Sequence, residues 1–222
     1  MILIPELNKK IEEHKIREKA VIDFLSLVAK ESNIVFYKDK DSEYIVPLRI
    51  QLIISFSLLD MFANYWYEYK CESGTPKQRM TDWYGKYCMT NQNSVFRCDD
   101  QLLKISPERL YKFRNALVHF FGLGAVVPGE LYIGLVSNDL PKEESEKMRT
   151  AFVMHGHPTV IIKPIDFHSM IKEGAILMLE EWASVIEQSK SDQTKVLQYI
   201  DAIKRVYDKV QNEGASEVKK KK

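Results

Sequence analysis

The stretch from Ile45 to Tyr67 constrains this chain most: it is apolar on nearly every side of a helix, yet it carries Arg49, Gln51, Asp60 and Asn64. A lipid-exposed span would tolerate those four residues poorly, so the stretch reads as a helix buried in a globular protein. Its period runs through Leu48, Leu52, Phe56, Leu59, Ala63 and Trp66. Pro47 stands near its start, and Glu72-Ser-Gly-Thr-Pro76 stops it near Lys70. A helix buried all round needs other helices to surround it.

Those partners are legible on both sides. Leu7, Ile11, Val21, Ile22, Leu25 and Val28 fall at helical spacing among Lys and Glu between Pro5 and about Glu31. A shorter helical segment holds Trp83, Tyr84 and Tyr87, followed by a polar loop from Thr90 to Ser94. Ser106-Pro107-Glu108 has the composition of a helix start, with Ser as cap, Pro at the first position and an acid at the positive end of the dipole. Gly122 would close that helix. Three short β-patterned runs follow, Leu131 to Val136, Ala151 to Met154 and Thr159 to Lys163. The helical period returns with Phe167, Met170, Ile171, Met178 and Trp182, then with Val196, Ile200, Ile203 and Tyr207 after a Ser191-Asp192 start. The expected fold class is mainly α: one domain over 1–222, a helical bundle with a small β-hairpin or β-sheet insertion at about 125–164, and a flexible basic tail at 213–222.

Composition excludes more than it selects. Lys and Arg number 32 against 31 Asp and Glu, a net charge of +1, so no overall basic field draws in a polyanion and any such ligand must be met by a local arrangement. The three cysteines, Cys71, Cys88 and Cys98, form no C-x-x-C pair and no even set, which argues against a disulfide framework or a cysteine zinc site. MILIPELNKKIEE lacks the long apolar region of a signal peptide, so the expected location is cytoplasmic, with no membrane partner.

The helix that opens at Ser106 carries the chemistry. Arg114, Asn115 and His119 form R-N-x-x-x-H. Eight Arg and five His in 222 residues give about 0.2 chance matches to the bare Arg-to-His spacing, so context must add weight. Asn115 and His119 lie one turn apart on one face, and Arg114 lies about 140° from His119, an arc a guanidinium spans. The negative helix end would favour the His119 imidazolium. A forked, permanently charged Arg beside a titratable His suits phosphoryl transfer, the first holding oxygens and the second moving protons. On the apolar helix, Ser57, Asp60 and Asn64 form a polar stripe at spacings of three and four. A carboxylate there needs a partner, and Arg114 is the obvious one if the two helices pack together, with Asp60 orienting the guanidinium.

LYKFRNALVHFFG, preceded by a helix with Ser57-x-x-Asp60 and apolar flanks, resembles the HEPN superfamily. The resemblance covers the helical parts, roughly Leu7 to Gly122 and Pro164 to Gln211, and its specific motif is Arg114 to His119. It implies a bundle of four or five helices that pairs as a homodimer, so that two Arg-His motifs face one cleft. It also implies a metal-independent endoribonuclease of a toxin–antitoxin or phage-defence system, with RNA as substrate and no organic cofactor or metal. An antitoxin or defence-system protein is the further partner implied. By that likeness His119 is the general acid or base, Arg114 stabilises the phosphorane as a ribose 2′-hydroxyl attacks, and Asn115 matches the polar position after the arginine. One departure stands out: toxins paired with a nucleotidyltransferase carry H-x-Tyr, whereas Phe121 stands two after His119 here. Silencing by modification of that Tyr is not supported.

Plainer readings stand beside these. An ion-pairing Arg and a capping His on a bundle helix need no activity. A non-catalytic HEPN-like dimerisation, nucleotide- or RNA-binding module, or a sensor of phosphate ligands, would share the motif. His155 and His157 lack a third ligand and are not read as a metal site. His14 and His168 stand isolated and are read as ordinary structural residues. Tyr65, Trp66, Tyr67, Tyr69, Trp83, Tyr84 and Tyr87 could stack RNA bases, but aromatics at helical spacing favour core or interface.

Overall fold

The computed structural model describes residues 4–32, 47–89, 105–120, 132–135, 143, 153–154, 157–188 and 192–219. Within these the chain is mainly helical. In order the elements are α1 (Ile4–Glu31), α2 (Leu48–Lys70), α3 (Pro76–Tyr87), α4 (Pro107–Phe120), β1 (Tyr132–Leu135), β2 (Val153–Met154), β3 (His157–Ile162), α5 (Pro164–Gln188) and α6 (Gln193–Lys219). No described helix is long and apolar enough to cross a membrane.

The helix ends follow local chemistry. Cys71 terminates α2 in the left-handed region at φ 56°, where its N–H donates to the Glu68 carbonyl and that of Glu72 donates to the Tyr67 carbonyl. This satisfies two carbonyls of the last turn without a glycine. Thr75 caps α3 by accepting from the Gln78 N–H while the Gln78 side chain accepts from the Thr75 N–H, with Pro76 at the first position. Ser106 Oγ accepts from the Arg109 N–H at 3.3 Å and starts α4. Asp192 Oδ1 accepts from the N–H groups of Thr194 and Lys195 and starts α6. The predicted loop at Thr90 to Ser94 and the Gly122 cap lie outside the described residues. The backbone of α6 stays helical to Lys219, so it passes through much of the region the sequence marks as a tail.

Helix α2 is the hub. Leu52, Phe56, Leu59, Phe62 and Ala63 are fully buried, and α1, α3, α4, α5 and α6 add Leu25, Trp83, Phe113, Trp182 and Ile203 to the same core. Aromatic contacts tie the partners to it. Phe62 stacks on Trp83 of α3 at 5.9 Å, Tyr69 stacks on Trp182 of α5 at 4.5 Å, and Phe56 meets Phe113 of α4 at 5.7 Å and Phe167 of α5 at 4.9 Å. Tyr65, Trp66, Tyr67, Trp83, Tyr84 and Tyr87 are all buried. They belong to the core rather than to an open stacking platform. Lys70 Nζ sits 4.3 Å from the Trp66 ring centroid, and Lys86 Nζ sits 4.8 Å from that of Tyr87.

Between α4 and α5 the strands pair in the order β1-β3-β2, with β1 and β3 parallel (Tyr132 opposite Thr159) and β2 and β3 antiparallel (Val153 opposite Pro158). Ile162 is fully buried, and Leu135 packs partly buried against the helical core, which anchors this segment to the bundle.

Both isolated histidines are interior. His14 is 1 % exposed, with Nε2 3.3 Å from Glu18, whose other oxygen accepts from the Tyr199 hydroxyl at 2.7 Å. His168, also 1 % exposed, lies between the hydroxyls of Ser32 (Nε2, 3.1 Å) and Ser55 (Nδ1, 3.2 Å). A neutral ring suits this setting, donating to one hydroxyl and accepting from the other. Burial, aided by the nearby Lys172 charge, pushes the imidazole down to about 4 from its ordinary 6.5.

Two predictions follow from this packing. Between pH 6.5 and 4 the unfolded chain binds a proton at His168 that the folded chain excludes. Stability is therefore complete above pH 6.5 and falls as the pH drops toward 4, by up to about 3 kcal/mol. Urea unfolding across that range should show the decline in the wild type and a flatter profile in His168→Gln; parallel profiles would remove His168 as its source. At Gly174 of α5, an added Cβ would meet Cys88 Sγ at 3.0 Å and the Trp83 ring at 3.1 Å. Gly174→Val is expected to destabilise by about 2 kcal/mol through overpacking, read as a lower urea midpoint at unchanged slope.

Candidate functional site

The polar stripe of α2 emerges where the surrounding helices leave it uncovered. Ser57 is exposed and Asp60 and Asn64 are half-buried, while Phe56 on the adjoining face packs against Phe113 of α4. That contact sets α4 beside the stripe and brings Arg114 to Asp60. Arg114 Nη2 donates to Asp60 Oδ2 at 2.6 Å and Nε donates to the same oxygen at 3.1 Å. Arg114 Nη1 donates to the Asn115 side-chain oxygen at 3.1 Å. The expected α2–α4 ion pair is thus present in the geometry.

Three hydrogen bonds fix the plane of the guanidinium. Of its five N–H groups, one on each terminal nitrogen remains uncommitted among the described residues. The side chains of Arg114 and Asp60 are 22 % and 25 % exposed, so both charges keep contact with water and the pair avoids the full desolvation penalty of a buried bridge. Its contribution to stability is about 1 kcal/mol, and its larger effect is orientation. Ser57 donates to the Ile53 carbonyl at 3.0 Å along its own helix and does not join the Asp60–Arg114 pair.

Beside the pair lies an open cleft of about 330 Å³, lined by Ser57, Asp60, Met61, Asn64 and Tyr65. Tyr65 stands among the aromatics that the sequence marks for core or interface, and Met61 carries no such mark. Their signal was spacing: Ser57, Met61 and Tyr65 recur every four residues beside Asp60 and Asn64, which makes the five one helical face. The apolar character of Met61 disguises it as core, and Tyr65 is core that reaches the cleft at its edge.

His119 belongs to the α4 backbone, but its side chain lies outside the described residues. The convergence of His119 with Arg114 therefore rests on helical spacing. His155 also lies outside the described residues, and His157 opens β3.

A larger cavity of about 580 Å³ lies elsewhere, between the end of α2 and helices α5 and α6, and includes Cys71. Its basic residues already have partners. Lys70 pairs with Glu72 at 2.6 Å, Lys195 pairs with Asp192 at 3.6 Å, and Arg205 donates to the Glu68 and Tyr69 carbonyls at 3.3 and 3.0 Å. Arg205 there acts as a clasp on the end of α2.

Compared with models of known protein families, with curated proteins and with solved structures, the chain has no match.

Proposed function

We propose that this protein is a metal-independent endoribonuclease of HEPN type, active as a homodimer in a toxin or phage-defence setting. The observation that carries the reading is the Arg114 guanidinium, held in a fixed plane by Asp60 and Asn115, with Asp60 itself lining an open cleft. Two spare N–H groups on such a fork match two oxygens of a phosphodiester.

In this reading the ribose 2′-hydroxyl attacks the adjacent phosphorus. A base accepts the hydroxyl proton, the new 2′-oxygen–phosphorus bond forms, and negative charge gathers on the non-bridging oxygens. Arg114 stabilises that charge. The bond to the 5′-oxygen then breaks, and an acid supplies the proton this oxygen needs. His119 is the residue proposed to move protons, and a second copy of the chain supplies the other imidazole, so that one ring acts as base and the other as acid. The products are a 2′,3′-cyclic phosphate and a 5′-hydroxyl. Asp60 is a positioning residue that holds Arg114 without touching substrate.

A second reading, a binding module that grips nucleotide or RNA without cutting it, draws support from the same geometry. Three of the Arg114 donors are already committed, which suits static recognition as well as catalysis.

Purified wild-type protein incubated with RNA and a chelator should produce fragments ending in 2′,3′-cyclic phosphate. His119→Ala and Arg114→Ala should each slow cleavage by about 100-fold or more. Cutting by His119→Ala at the wild-type rate would overturn the reading, and intact RNA in every sample would favour the binding module. Asp60→Asn should lower kcat about ten-fold with little change in KM, because the fork loses its orientation and not its charge. Partial recovery in Asp60→Glu would mark the carboxylate as the orienting group, whereas wild-type kcat in Asp60→Asn would remove Asp60 from the site.

A further inference from the structure

We propose that the cleft on α2 is a nucleobase subsite in which the Asn64 amide reads the hydrogen-bonding edge of the base next to the phosphate held by Arg114. The proposal rests on the ribonuclease reading for the identity of its ligand and adds the source of sequence preference.

Size comes first. At about 330 Å³ the cleft sits at the lower end of small-ligand pockets, with room for one flat group and not for a dinucleotide. Charge narrows the occupant further. Among the described residues the lining holds one carboxylate, Asp60, and no cation. Inside the cleft a phosphate would meet no described cation and a carboxylate already paired with Arg114, while on the Arg114 side of that pair it would meet the uncommitted N–H groups. The phosphate therefore belongs on the Arg114 side and an uncharged part of the same nucleotide belongs in the cleft.

Chemistry selects the reader. Asn64 lies one turn beyond Asp60, and its side chain makes no hydrogen bond among the described residues. Its amide presents a donor and an acceptor in one plane, the pattern that pairs with two adjacent groups on a base edge. Half-buried Met61 supplies apolar wall beside it, as unstacked bases of single-stranded RNA require. Ser57 directs its hydroxyl proton to the Ile53 carbonyl and so offers the cleft only acceptor capacity, whereas Asn64 offers a donor and an acceptor together.

The test uses a set of short RNAs that differ only in the base beside a single scissile linkage. Wild-type protein should cut the best of them at least about ten-fold faster than the worst, the scale of one paired base contact. Asn64→Ala should bring that ratio close to one. Asn64→Asp, which keeps the size but offers acceptors alone, should shift preference toward bases that present amino donors. An Asn64→Ala protein that keeps the wild-type ratio would overturn the proposal. If wild-type protein cuts none of the set, the ribonuclease reading has failed, and the subsite is judged by binding of fluorescent oligo(A), oligo(C), oligo(G) and oligo(U). Discrimination among the four that disappears in Asn64→Ala would sustain the subsite. Equal affinity for all four, or discrimination that survives the substitution, would sink it.

Discussion

Hydrocarbon on almost every side of α2 can be taken out of water only by a shell of other helices, and this requirement organises the molecule. Phe62 meets α3, Phe56 meets both α4 and α5, and Tyr69 meets α5 again, so aromatic contacts place three of the partner helices against α2. A fully buried Leu or Phe side chain contributes about 2 to 3 kcal/mol relative to exposure, and α2 buries several. Moving any neighbour would uncover part of that surface. The scaffold under the cleft is correspondingly stiff.

The site is a by-product of how this shell closes. Three polar residues on one edge of α2 cannot be buried without partners, so the packing leaves that edge open and sets one cation against it. Phe113 and Arg114 are consecutive on α4. The first docks into the core against Phe56 and the second reaches Asp60, so a hydrophobic contact and an ion pair define the same helix placement. This is the precision that a fixed guanidinium needs, and a loop would supply it less well.

The sequence disclosed those features whose physical demand is local. Ser106 and Asp192 announce helix starts because a side-chain acceptor must meet free N–H groups. Asp60 on an apolar helix announces its need for a cation, and Arg114 meets it. Features set by distant residues were hidden. His14 and His168 fall in register with the apolar stripes of their helices, seven before Val21 and three before Ile171, but the groups that satisfy their rings, Glu18 with Tyr199 and Ser32 with Ser55, do not show in that pattern. Met61 resembles core because a cleft wall and a core share one alphabet. The pairing of β1 with β3 joins segments far apart in the chain, which strand propensity does not specify.

The placement of the tryptophans has a spectroscopic consequence. Trp66, Trp83 and Trp182 all belong to the interior cluster around α2, and none of them lines the cleft at Asp60. Their ultraviolet emission therefore tracks whether the helices are assembled and is insensitive to what occupies the cleft. One intrinsic optical signal thus monitors integrity of the bundle, leaving occupancy to be followed with a label on the ligand.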